Sequence, residues 1–429
     1  FEFIPWKKSN NTVYIVTHEV TRELFFFLKE TYKEGFKIFL SSRDNITLSI
    51  QRNFSCKILK NTISSLEQRK KEFSAKNLLS FKAAAFMLGA LLVFSFWSDL
   101  SLKLFILLAN LVFFSNTLFK VVLFFFSKHT KSQPAKQDDK ELPRYTIIVP
   151  MYKEDHSLAS LVDSLSRLNY PKNKLEIIFV VEQFDRRTLS YLKKQKDDFY
   201  RVICVPRGGP QTKPKACSYV LSYIKGDYLV VYDAEDKPEP NQLLKAVYEF
   251  RRGGKNLVCL QGKLNFYNSS ENILTSFFAI EYFCWFNIFL QGLLNLRMPI
   301  PLGGSSNHFR VDILKRVGGW DPYNVTEDAD LGYRLFKEGY SVGVLDSLTQ
   351  EEAPFSIRCW LKQRTRWIKG HFQTYLVHLK THKMLRNKMG SRGVLGFHLF
   401  LFFPIVAYIF HVLILLLLFF KPGFLVGLS

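Results

Sequence analysis

Two long apolar stretches, residues 81–126 and 394–420, bracket a more polar central segment of the chain. Both stretches are dense in Phe and Leu and carry few charges. Because a membrane-spanning helix needs about 20 mostly apolar residues, the first stretch predicts two spanning helices and the second predicts one. The alternative is a set of helices buried in a large soluble core, but so much apolar sequence is hard to keep in solution.

Lys and Arg residues gather beside the apolar stretches. The formal net charge is +22, and basic segments at 127–140 and 380–392 lie at the two ends of the central segment. This excess of positive residues predicts that both ends are cytoplasmic, in a multi-pass protein of the inner membrane. The anionic lipid bilayer is the expected partner of the charge. We exclude a nucleic-acid partner, since the sequence has no basic module with interleaved aromatic residues.

The segment before the first apolar stretch, residues 1–76, predicts a small soluble domain with apolar patches such as VYIVTHEV and FKIFLSS. It begins without Met, which suggests a truncated N-terminus. The six cysteines of the chain show no C-x-x-C spacing, so neither a zinc site nor a disulfide framework is indicated. This cysteine usage fits a reduced cytosolic compartment.

Between residues 142 and 251, continuous apolar runs alternate with helical patterns. The runs TIIVP, LEIIFVVE, RVICVP and DYLVVYD are followed by predicted helices at 157–168, 188–196, 214–224 and 240–251, respectively. Continuous apolar strands separated by helices indicate a parallel sheet that is covered on both faces. The predicted fold class is therefore α/β, a doubly wound and mostly parallel sheet, whose ligand should lie at the carboxyl ends of the strands.

Acidic residues follow the fourth apolar run. Asp233 and Glu235 form a D-x-E pair at the exit of the strand, and hard carboxylate oxygens in this arrangement suit Mg²⁺ or Mn²⁺ bound together with a diphosphate. The alternative is a helix N-terminus decorated with acids, which the helix dipole favours and which applies best to Asp236.

Polar groups also follow the other strands. VPMYKE (149–154) and FVVEQFD (179–185) could hold the base and ribose of a nucleotide. PRGGPQTKPKA (206–216) places Lys213 and Lys215 at the start of a helix, where they could contact phosphate oxygens. None of these patterns is specific by itself, and the Walker pattern of phosphate-binding loops is absent.

The motifs V-P-x-Y-x-E, D-A-E-D, G-G-S-S-N, T-E-D and Q-x-x-R-W follow one another within residues 142–420. In this order they resemble the family 2 inverting glycosyltransferases, and within them the membrane-integrated branch that contains cellulose and hyaluronan synthases. The resemblance implies a fold of the GT-A type. Residues 1–76 also faintly resemble the N-terminal domain of type II secretion ATPases, a module that can bind a cyclic dinucleotide in relatives, although no ligand motif is evident here.

The resemblance implies a role for each motif. Asp328 of T-E-D is the implied general base, and Asp233 with Glu235 is the implied site of the metal and the donor diphosphate. The implied donor-binding residues are Pro150, Tyr152, Glu154, Glu182, Lys213, Lys215, Gln363, Arg366 and Trp367. The implied acceptor-side residues are Gly304, Ser305, Ser306, Glu327 and Trp367. Glu182 stands where many members carry Asp, and Ser218 where many carry Asn, which leaves the base and the sugar open.

The chemistry of such a transfer asks for the same groups. An inverting transfer is a single in-line displacement, so it needs a base for the acceptor hydroxyl and a cation for the leaving diphosphate. Asp328 is suited to act as this base because it directly precedes the predicted helix ADLGYRLFKEGY, where packing can hold its side chain rigidly. Glu327 and Asp330 could instead be acids that stabilise the helix N-terminus. Arg366 offers a fork matched to phosphate, and Trp367 could stack on a sugar ring or be a buried interfacial aromatic.

Two further segments, 273–296 and 355–380, combine apolar and aromatic residues with scattered polar ones. This pattern predicts helices that lie in the membrane interface. The expected catalytic domain, residues 142–380, would contain both helices and dock against the bilayer on its cytoplasmic side.

We therefore predict a membrane-bound, polysaccharide synthase-like enzyme that moves a sugar from a nucleotide-diphosphate donor, with UDP-sugars expected, to a saccharide or lipid-linked acceptor, with export partners possible. Two alternatives stay open: a glycolipid synthase that makes a single transfer, and a non-enzymatic membrane receptor or export component that retains the fold. Intact Asp233, Asp328 and Arg366 favour an enzyme. Three predicted spanning helices are fewer than a translocating pore usually takes.

Overall fold

The computed structural model describes residues 3–78, 89, 99–128, 141–154, 158–194, 200–380 and 382–420. The first of the two spanning helices predicted within residues 81–126 lies outside the described residues, apart from residue 89. Most of the basic segment 127–140 lies outside them as well.

The N-terminal residues form a three-stranded sheet with one helix, within the segment for which the sequence predicts a small soluble domain. Its elements are β1 (Phe3–Ser9), β2 (Thr12–Thr17), α1 (Arg22–Thr31) and β3 (Phe36–Leu40). Strand β2 is central, antiparallel to β1 and parallel to β3. Leu24 and Leu28, one helical turn apart on α1, pack on Val13 and Ile15 of β2 and form a core separate from that of the rest of the chain.

A long helix, α2 (Arg43–Arg69), connects the small domain to the rest of the molecule. It begins after Ser42, whose side chain accepts a hydrogen bond from the backbone N–H of Asn45. Two short 3₁₀ turns, Lys71–Phe73 and Ala75–Asn77, follow it. The buried Leu59 belongs to the main hydrophobic core, so α2 is packed against the central domain and not only tethered to it.

The central domain is built on an eight-stranded sheet with the order β6-β5-β4-β7-β10-β9-β11-β8. The strands are β4 (Tyr145–Met151), β5 (Leu175–Glu182), β6 (Arg201–Val205), β7 (Tyr228–Val231), β8 (Lys237–Pro238), β9 (Leu257–Phe266), β10 (Asn307–Arg310) and β11 (Ser341–Glu351). The strands β6, β5, β4 and β7 run parallel as predicted. Strand β10 reverses direction and pairs antiparallel with both β7 and β9, while β9 and β11 are parallel to each other.

Helices cover both faces of this sheet, which confirms the predicted α/β class. The first four are α4 (Leu158–Ser166), α5 (Arg186–Lys194), α6 (Lys213–Val220) and α7 (Gln242–Arg252). On α4, Leu158, Leu161 and Leu165 recur with the spacing of one helical face and join one core cluster. The residues of α6 lie in the other core cluster, so the sheet separates two apolar layers. The carboxyl ends of β4, β5 and β7 consequently open at one edge, between the helices.

Three described helices are long and apolar enough to cross a membrane: Lys103–Phe125, Ile273–Asn295 and Arg386–Leu415. The first lies within α3 (Asp99–Phe125), which corresponds to the second predicted spanning helix. The third lies in the C-terminal helices α13 (His382–Phe397), a π-helical turn His398–Phe402 and α14 (Phe403–Phe420). Helices α3 and α14 pack together, with the rings of Phe105 and Phe410 5.1 Å apart.

The segment predicted as the first interface helix comprises α8 (Ile273–Phe283), a π-helical turn Cys284–Phe289 and α9 (Leu290–Asn295). One side of it packs into the molecule: a Cβ placed on Gly292 would lie 2.5 Å from the backbone oxygen of Leu123 on α3. The other side exposes Ile273, Phe277 and Ile280. By length and composition this segment could also cross a membrane, so the sequence pattern alone does not separate the two arrangements.

The remaining helices carry the second half of the predicted motifs. They are α10 (Val311–Arg316), α11 (Glu327–Lys337) and α12 (Ile357–Leu379). Helix α11 holds the T-E-D acids in its first turn, and α12 holds the Q-x-x-R-W motif. The second predicted interface segment is thus a helix over nearly its full predicted length.

Candidate active site

The loop with the G-G-S-S-N motif lies at the carboxyl end of β7, where Ser306 N donates to Val231 O at 2.8 Å. We use the word cleft for the region that Lys213, Asp233 and Asp328 border around Gly304, and the word floor for this loop. Gln261 on β9 fixes this loop, because its side chain accepts a hydrogen bond from Gly303 N at 2.6 Å and donates one to Ser305 O at 2.9 Å. Gly304 stays exposed at the surface of the floor. The backbone of this loop therefore faces the cleft in a fixed position.

Ser305 and Ser306, predicted on the acceptor side, are fully buried beneath this floor. The Ser305 hydroxyl donates to the carboxylate of Asp236, and the Ser306 hydroxyl donates to Gln242 Oε1 at 2.9 Å. Because both hydroxyls are bonded inside the protein, they do not reach the surface of the floor in this conformation, and the acceptor-side role of these residues stays a prediction. They hold the loop that presents Gly304.

The D-x-E strand end lies beside this floor. Lys213, at the first turn of α6, donates hydrogen bonds to the carboxylate of Asp233 and to Gly304 O, the latter at 2.7 Å. Asp236 is buried and accepts a hydrogen bond from Asp233 N at 2.8 Å, which fixes the turn after β7. Burial opposes the charge of Lys213, but attraction from Asp233 and Glu327 raises its pKa, so the ammonium form is held in the cleft.

Further carboxylates share this part of the cleft and repel one another. Burial, together with the charges of Glu235 and Asp233, raises the pKa of Glu154 to about 8. Burial and repulsion from Asp233 also raise the pKa of Glu235. Glu351, at the end of β11, has a raised pKa because of burial and repulsion from Asp236 and Asp233. The cleft therefore favours a bound cation, which would relieve this repulsion.

A metal ion would have few protein ligands here. Within the described residues, no group of three or more His, Cys, Asp and Glu side chains is close enough to hold a metal ion. Asp233 and Glu235 are both partly exposed to the cleft and carry the oxygen ligands that Mg²⁺ and Mn²⁺ prefer. They fit a cation that takes its other ligands from a bound diphosphate and from water.

Asp328 lies across the floor from Lys213. It is half-buried in the first turn of α11, where its Oδ1 accepts a hydrogen bond from Ala329 N at 2.7 Å. A Cβ placed on Gly304 would lie 3.3 Å from its Oδ2, so the missing side chain of Gly304 leaves space directly beside this oxygen. Burial raises the pKa of Asp328 to about 6, opposed by Ala329 N–H and by the charges of Lys213 and Arg366.

The two other acids of α11 differ from Asp328. Glu327 is buried, and burial together with repulsion from Asp328 raises its pKa to about 8. Asp330 is fully buried and pairs with Arg334 Nε at 2.7 Å and with His378 Nε2 at 3.0 Å. Burial opposes its charge, but attraction from Arg334 lowers its pKa. Asp330 thus ties α11 to α12 and is not a simple helix N-terminal acid.

Lys215 and Glu182, both predicted at the donor, lie inside the protein. Lys215 Nζ is 2.7 Å from Glu182 Oε1 and donates to Gly208 O at 3.1 Å. Lys215 is fully buried, so its ammonium group does not reach the cleft in this conformation, and its contact with phosphate stays a prediction. The pair instead joins the end of β5 to the loop before α6.

Tyr152 and Pro150 lie at the end of β4. Tyr152 is 47% exposed, and its ring packs edge-on against Phe184 at 5.8 Å. Lys153 adopts a positive φ of 59° and its N–H donates to Asp185 Oδ2 at 2.6 Å, which orients this turn. An open aromatic wall at two neighbouring strand ends is compatible with the predicted nucleotide-base site.

The Q-x-x-R-W motif lies on α12 facing α8. Arg366 is exposed and its charge lowers the pKa of Asp328, so it lies within electrostatic reach of the predicted base. Gln363 is half-buried on the same helix. Trp367 is half-buried and stacks on Tyr282 at 6.1 Å, so both predicted roles of this side chain remain open.

Arg364 is a member of this group that the sequence analysis did not single out. It forms a two-pronged ion pair with Glu281 of α8 and its guanidinium lies 4.7 Å from the Phe278 ring and 5.0 Å from the Trp367 ring. A signal was present in the sequence, since an arginine three residues before a tryptophan on a helix is placed to stack on it. Arg364 fixes Trp367 and joins α12 to α8.

Comparison with known proteins agrees with this geometry. Residues 228–421 match the family described as glycosyl transferase family group 2. The matched segment is less than half of the chain. It includes Asp233, Asp328 and Arg366, whereas β4 to β6 and Lys213 precede it.

The chain is also similar to individual proteins that are named glycosyltransferases or glycolipid synthases. The chain is 29% identical over 275 residues to a probable glycosyltransferase, YdaM, of Bacillus subtilis, which covers 62% of this chain and 63% of the relative. It is 27% identical over 266 residues to the beta-monoglucosyldiacylglycerol synthase of Trichormus variabilis, covering 60% of this chain and 54% of the relative. The chain thus spans between about half and two thirds of the length of these relatives.

A solved structure shares the fold of the central domain. The mannosyltransferase PcManGT from Pyrobaculum calidifontis, in complex with GDP-Man and Mn²⁺, superposes with a TM-score of 0.55 at 18% sequence identity. The superposition covers 73% of this chain and 86% of that one. This similarity confirms the predicted GT-A type of fold.

Proposed function

We propose that this protein transfers a sugar, with inversion, from a nucleotide-diphosphate donor to a hydroxyl group presented at a membrane surface. Asp328 takes the proton of the acceptor hydroxyl, and the groups around Asp233 and Lys213 hold the donor diphosphate. The acceptor is a saccharide or a lipid-linked molecule.

The observation that carries this proposal is the position of Gly304. Its carbonyl oxygen accepts from Lys213 at 2.7 Å, and its missing side chain leaves space beside Asp328 Oδ2. One exposed glycine therefore lies between the cationic group that suits a diphosphate and the carboxylate that suits a base. An in-line displacement needs these two groups on opposite sides of the reacting carbon.

The positively charged groups of the cleft act on the leaving diphosphate. The ammonium of Lys213 and the guanidinium of Arg366 stabilise the negative charge that grows on the departing diphosphate. A divalent cation, Mg²⁺ or Mn²⁺, would be held by Asp233 and Glu235 and would supply Lewis-acid stabilisation of the same leaving group. The complex of PcManGT with GDP-Man and Mn²⁺ supports a nucleotide sugar and a divalent ion as ligands of this fold.

The exposed apolar side chains of α8 and α12 support a membrane-surface location for the acceptor. Ile273, Phe277 and Ile280 on α8 and Phe355 and Ile357 at the start of α12 are all more than half exposed. Amphipathic helices with such a face bind the interface of a bilayer. We infer that the catalytic domain, residues 142–380, lies on the cytoplasmic face of the inner membrane, held by the helices within 81–126 and 394–420.

A single transfer to a lipid is the second candidate within this reaction class. One relative, which is 27% identical to this chain over 266 residues, is named beta-monoglucosyldiacylglycerol synthase. Processive synthesis of a polysaccharide, as in the cellulose and hyaluronan synthase branch, is the first candidate from the motifs. Both candidates use the same donor site and differ in the acceptor.

The test uses the purified full chain in lipid nanodiscs with a panel of UDP- and GDP-sugars. Release of the nucleoside diphosphate identifies the donor, and parallel reactions with diacylglycerol or an oligosaccharide identify the acceptor. Proton NMR of the product reports the anomeric configuration, which must be opposite to that of the donor. Retention of configuration, or no release with any donor, would refute the proposal.

A further inference from the structure

We propose that residues 59–77 act as a brace that positions the loop and helix carrying Asp328, so that the N-terminal part of the chain sets the rate of transfer. The brace comprises the C-terminal half of α2 and the two 3₁₀ turns that follow it. This inference rests on the proposed function of Asp328, but it concerns residues that lie outside the cleft.

The brace first contacts the loop that leads to Lys213. Leu59 is buried in the main core, and a Cβ placed on Gly208 would lie 2.7 Å from its Cδ2. The same Gly208 accepts the hydrogen bond of Lys215 at 3.1 Å. Helix α2 is therefore packed against the donor side of the cleft.

The second contact is with the loop that precedes Asp328. A Cβ placed on Gly318 would lie 3.3 Å from Cδ1 of Leu66, and the φ of +92° at this glycine allows the close approach. Ala75 N donates to Asp321 Oδ2 at 2.6 Å, while Asp321 Oδ1 accepts from Tyr323 N at 3.0 Å. Because Asp321 is fully buried, its carboxylate depends on these donors.

The third contact is with the far end of α11. Lys70 Nζ is 2.6 Å from Glu338 Oε1. Phe73 is 1% exposed, and its ring lies 5.4 Å from Lys337 Nζ and 6.2 Å from the His378 ring. The brace therefore touches the loop before α11 and the residues at its end.

These contacts have a mechanical consequence for the base. Because α11 is one continuous helix from Glu327 to Lys337, we expect a shift at Lys337 or at the preceding loop to be carried to Asp328 in its first turn. A misplacement of a reacting group by about 1 Å can cost about 10²-fold in rate. Helix α2 also contacts β1 and β2. A movement of the small N-terminal domain can therefore reach Asp328 through a continuous set of packed residues.

The experiment compares four variants of the full chain. Phe73→Ala removes the ring that packs against Lys337, and Glu338→Gln breaks the ion pair with Lys70. Lys8→Met is the matched control, since it breaks the exposed Lys8–Glu34 pair of the small domain, which is 2.9 Å long. Phe73→Leu tests whether an apolar side chain of similar size restores the wild-type behaviour.

Two readouts are needed. In hydrogen–deuterium exchange, the backbone amides of residues 321–337 should exchange about tenfold faster in Phe73→Ala and Glu338→Gln, and at the wild-type rate in Lys8→Met and Phe73→Leu. In the transfer assay the first two variants should lose about tenfold in kcat with the donor KM within about twofold, because the base and not the donor site is displaced.

The proposal is overturned if exchange at residues 321–337 is unchanged, if it rises equally in β4 to β7, or if kcat is unaffected. Glu338→Gln keeps the test decisive if Phe73→Ala fails to fold. The exchange measurement needs no substrate. A wild-type chain that turns over no nucleotide sugar would therefore refute the proposed function, while the exchange result would still decide whether the brace holds α11.

Discussion

Lys213 and Asp233 form an ion pair at the carboxyl end of β7. The ammonium group of Lys213 is therefore already paired with one of the two carboxylates that suit a metal ion. Neither side chain is fully buried, and both border the cleft. A divalent cation and Lys213 therefore compete for Asp233 until a diphosphate is present to interact with both. This competition makes the metal dependence of donor binding measurable.

We expect Asp233→Asn to lose metal-dependent donor binding, because the amide removes an anionic ligand. Lys213→Met should bind Mn²⁺ alone about tenfold more tightly and bind the donor more weakly, since Asp233 is then free and a phosphate contact is lost. Titration of Mn²⁺ followed by electron paramagnetic resonance, with and without nucleotide, measures both effects. Asp163→Asn, an exposed position on α4, is the control. Full transfer activity in excess chelator would contradict the prediction.

The second prediction separates chemistry from binding. Asp328→Asn should keep donor affinity nearly intact and lower turnover by about 10²- to 10⁴-fold, the usual effect of removing a positioned base. Arg366→Ala should weaken both, because its charge acts on the diphosphate before and during departure. Donor binding by calorimetry and product formation are measured on the same preparations.

Two results would count against this assignment of the base. Loss of donor binding in Asp328→Asn would place the carboxylate in the donor site. If the variant kept more than about half the activity, the loss would be smaller than removal of a base produces. Glu327 would then be tested as Glu327→Gln; because its pKa is raised to about 8, its loss should matter most above that pH, where its carboxyl group is ionised.

The third prediction concerns pH. Asp328 acts as a base only when ionised, and burial raises its pKa to about 6, so kcat at saturating donor should rise with pH and reach half its maximum near pH 6. The charge of Arg366 lowers this pKa, so Arg366→Gln should move the acidic limb to higher pH. Arg358→Gln, an exposed arginine on the same helix, is the control and should leave the limb in place. A limb that does not move would mean that another group controls it.

The strands and helices of the first half of the central domain could be predicted from the sequence because each is encoded locally. The four apolar runs became β4 to β7, and the helical patterns between them became α4 to α7 with ends within a few residues. The reversal at β10 was not predicted. Its four residues, Asn307–Arg310, are too few to show a pattern, and their direction is set by pairing with β7 and β9.

For the candidate site, the sequence predicts which residues are polar but not where their partners lie. The structure brings Asp233, Gly304 and Asp328, which belong to three separate motifs, close together around Lys213 and the space beside Gly304. Other predicted site residues are bonded to interior partners that are distant in sequence: Ser306 to Gln242, and Lys215 to Glu182. A sequence shows that a residue is polar, but burial and pairing decide whether that polarity faces a ligand or satisfies the interior.

The fourth prediction is the arrangement across the membrane. The distribution of Lys and Arg predicts that residues 1–76 and 130–390 lie on the cytoplasmic side and that the N-terminal end of α3, near Leu100, lies outside. In a background without native cysteines, Lys172→Cys should react only with reagent on the cytoplasmic side and Leu100→Cys only with reagent on the other side. Labelling of both from the same side of sealed vesicles would refute the hairpin of two spanning helices.

The fifth prediction concerns a buried charge. Lys337 is fully buried, and burial lowers the pKa of its amine to about 7 from the ordinary 10.5, opposed by attraction from Asp330. Between pH 7 and 10.5 the unfolded chain therefore holds more protons at this group than the folded one, so its contribution to stability rises with pH over that window. Below pH 7 the folded protein carries the full cost of a buried ammonium.

Lys337→Met should accordingly stabilise the fold by about 1–4 kcal/mol below pH 7, as apolar replacement of buried charges commonly does. The gain over the wild type should shrink as the pH rises towards 10, where the wild-type amine is neutral in the folded state. Thermal unfolding at pH 6 and pH 9 measures the difference, with exposed Lys255→Met as the control that should show no shift at either pH. A variant that is less stable at pH 6 would show that the charge of Lys337, held between Phe73 and the carbonyl oxygen of His378, stabilises the contact of the brace with α11.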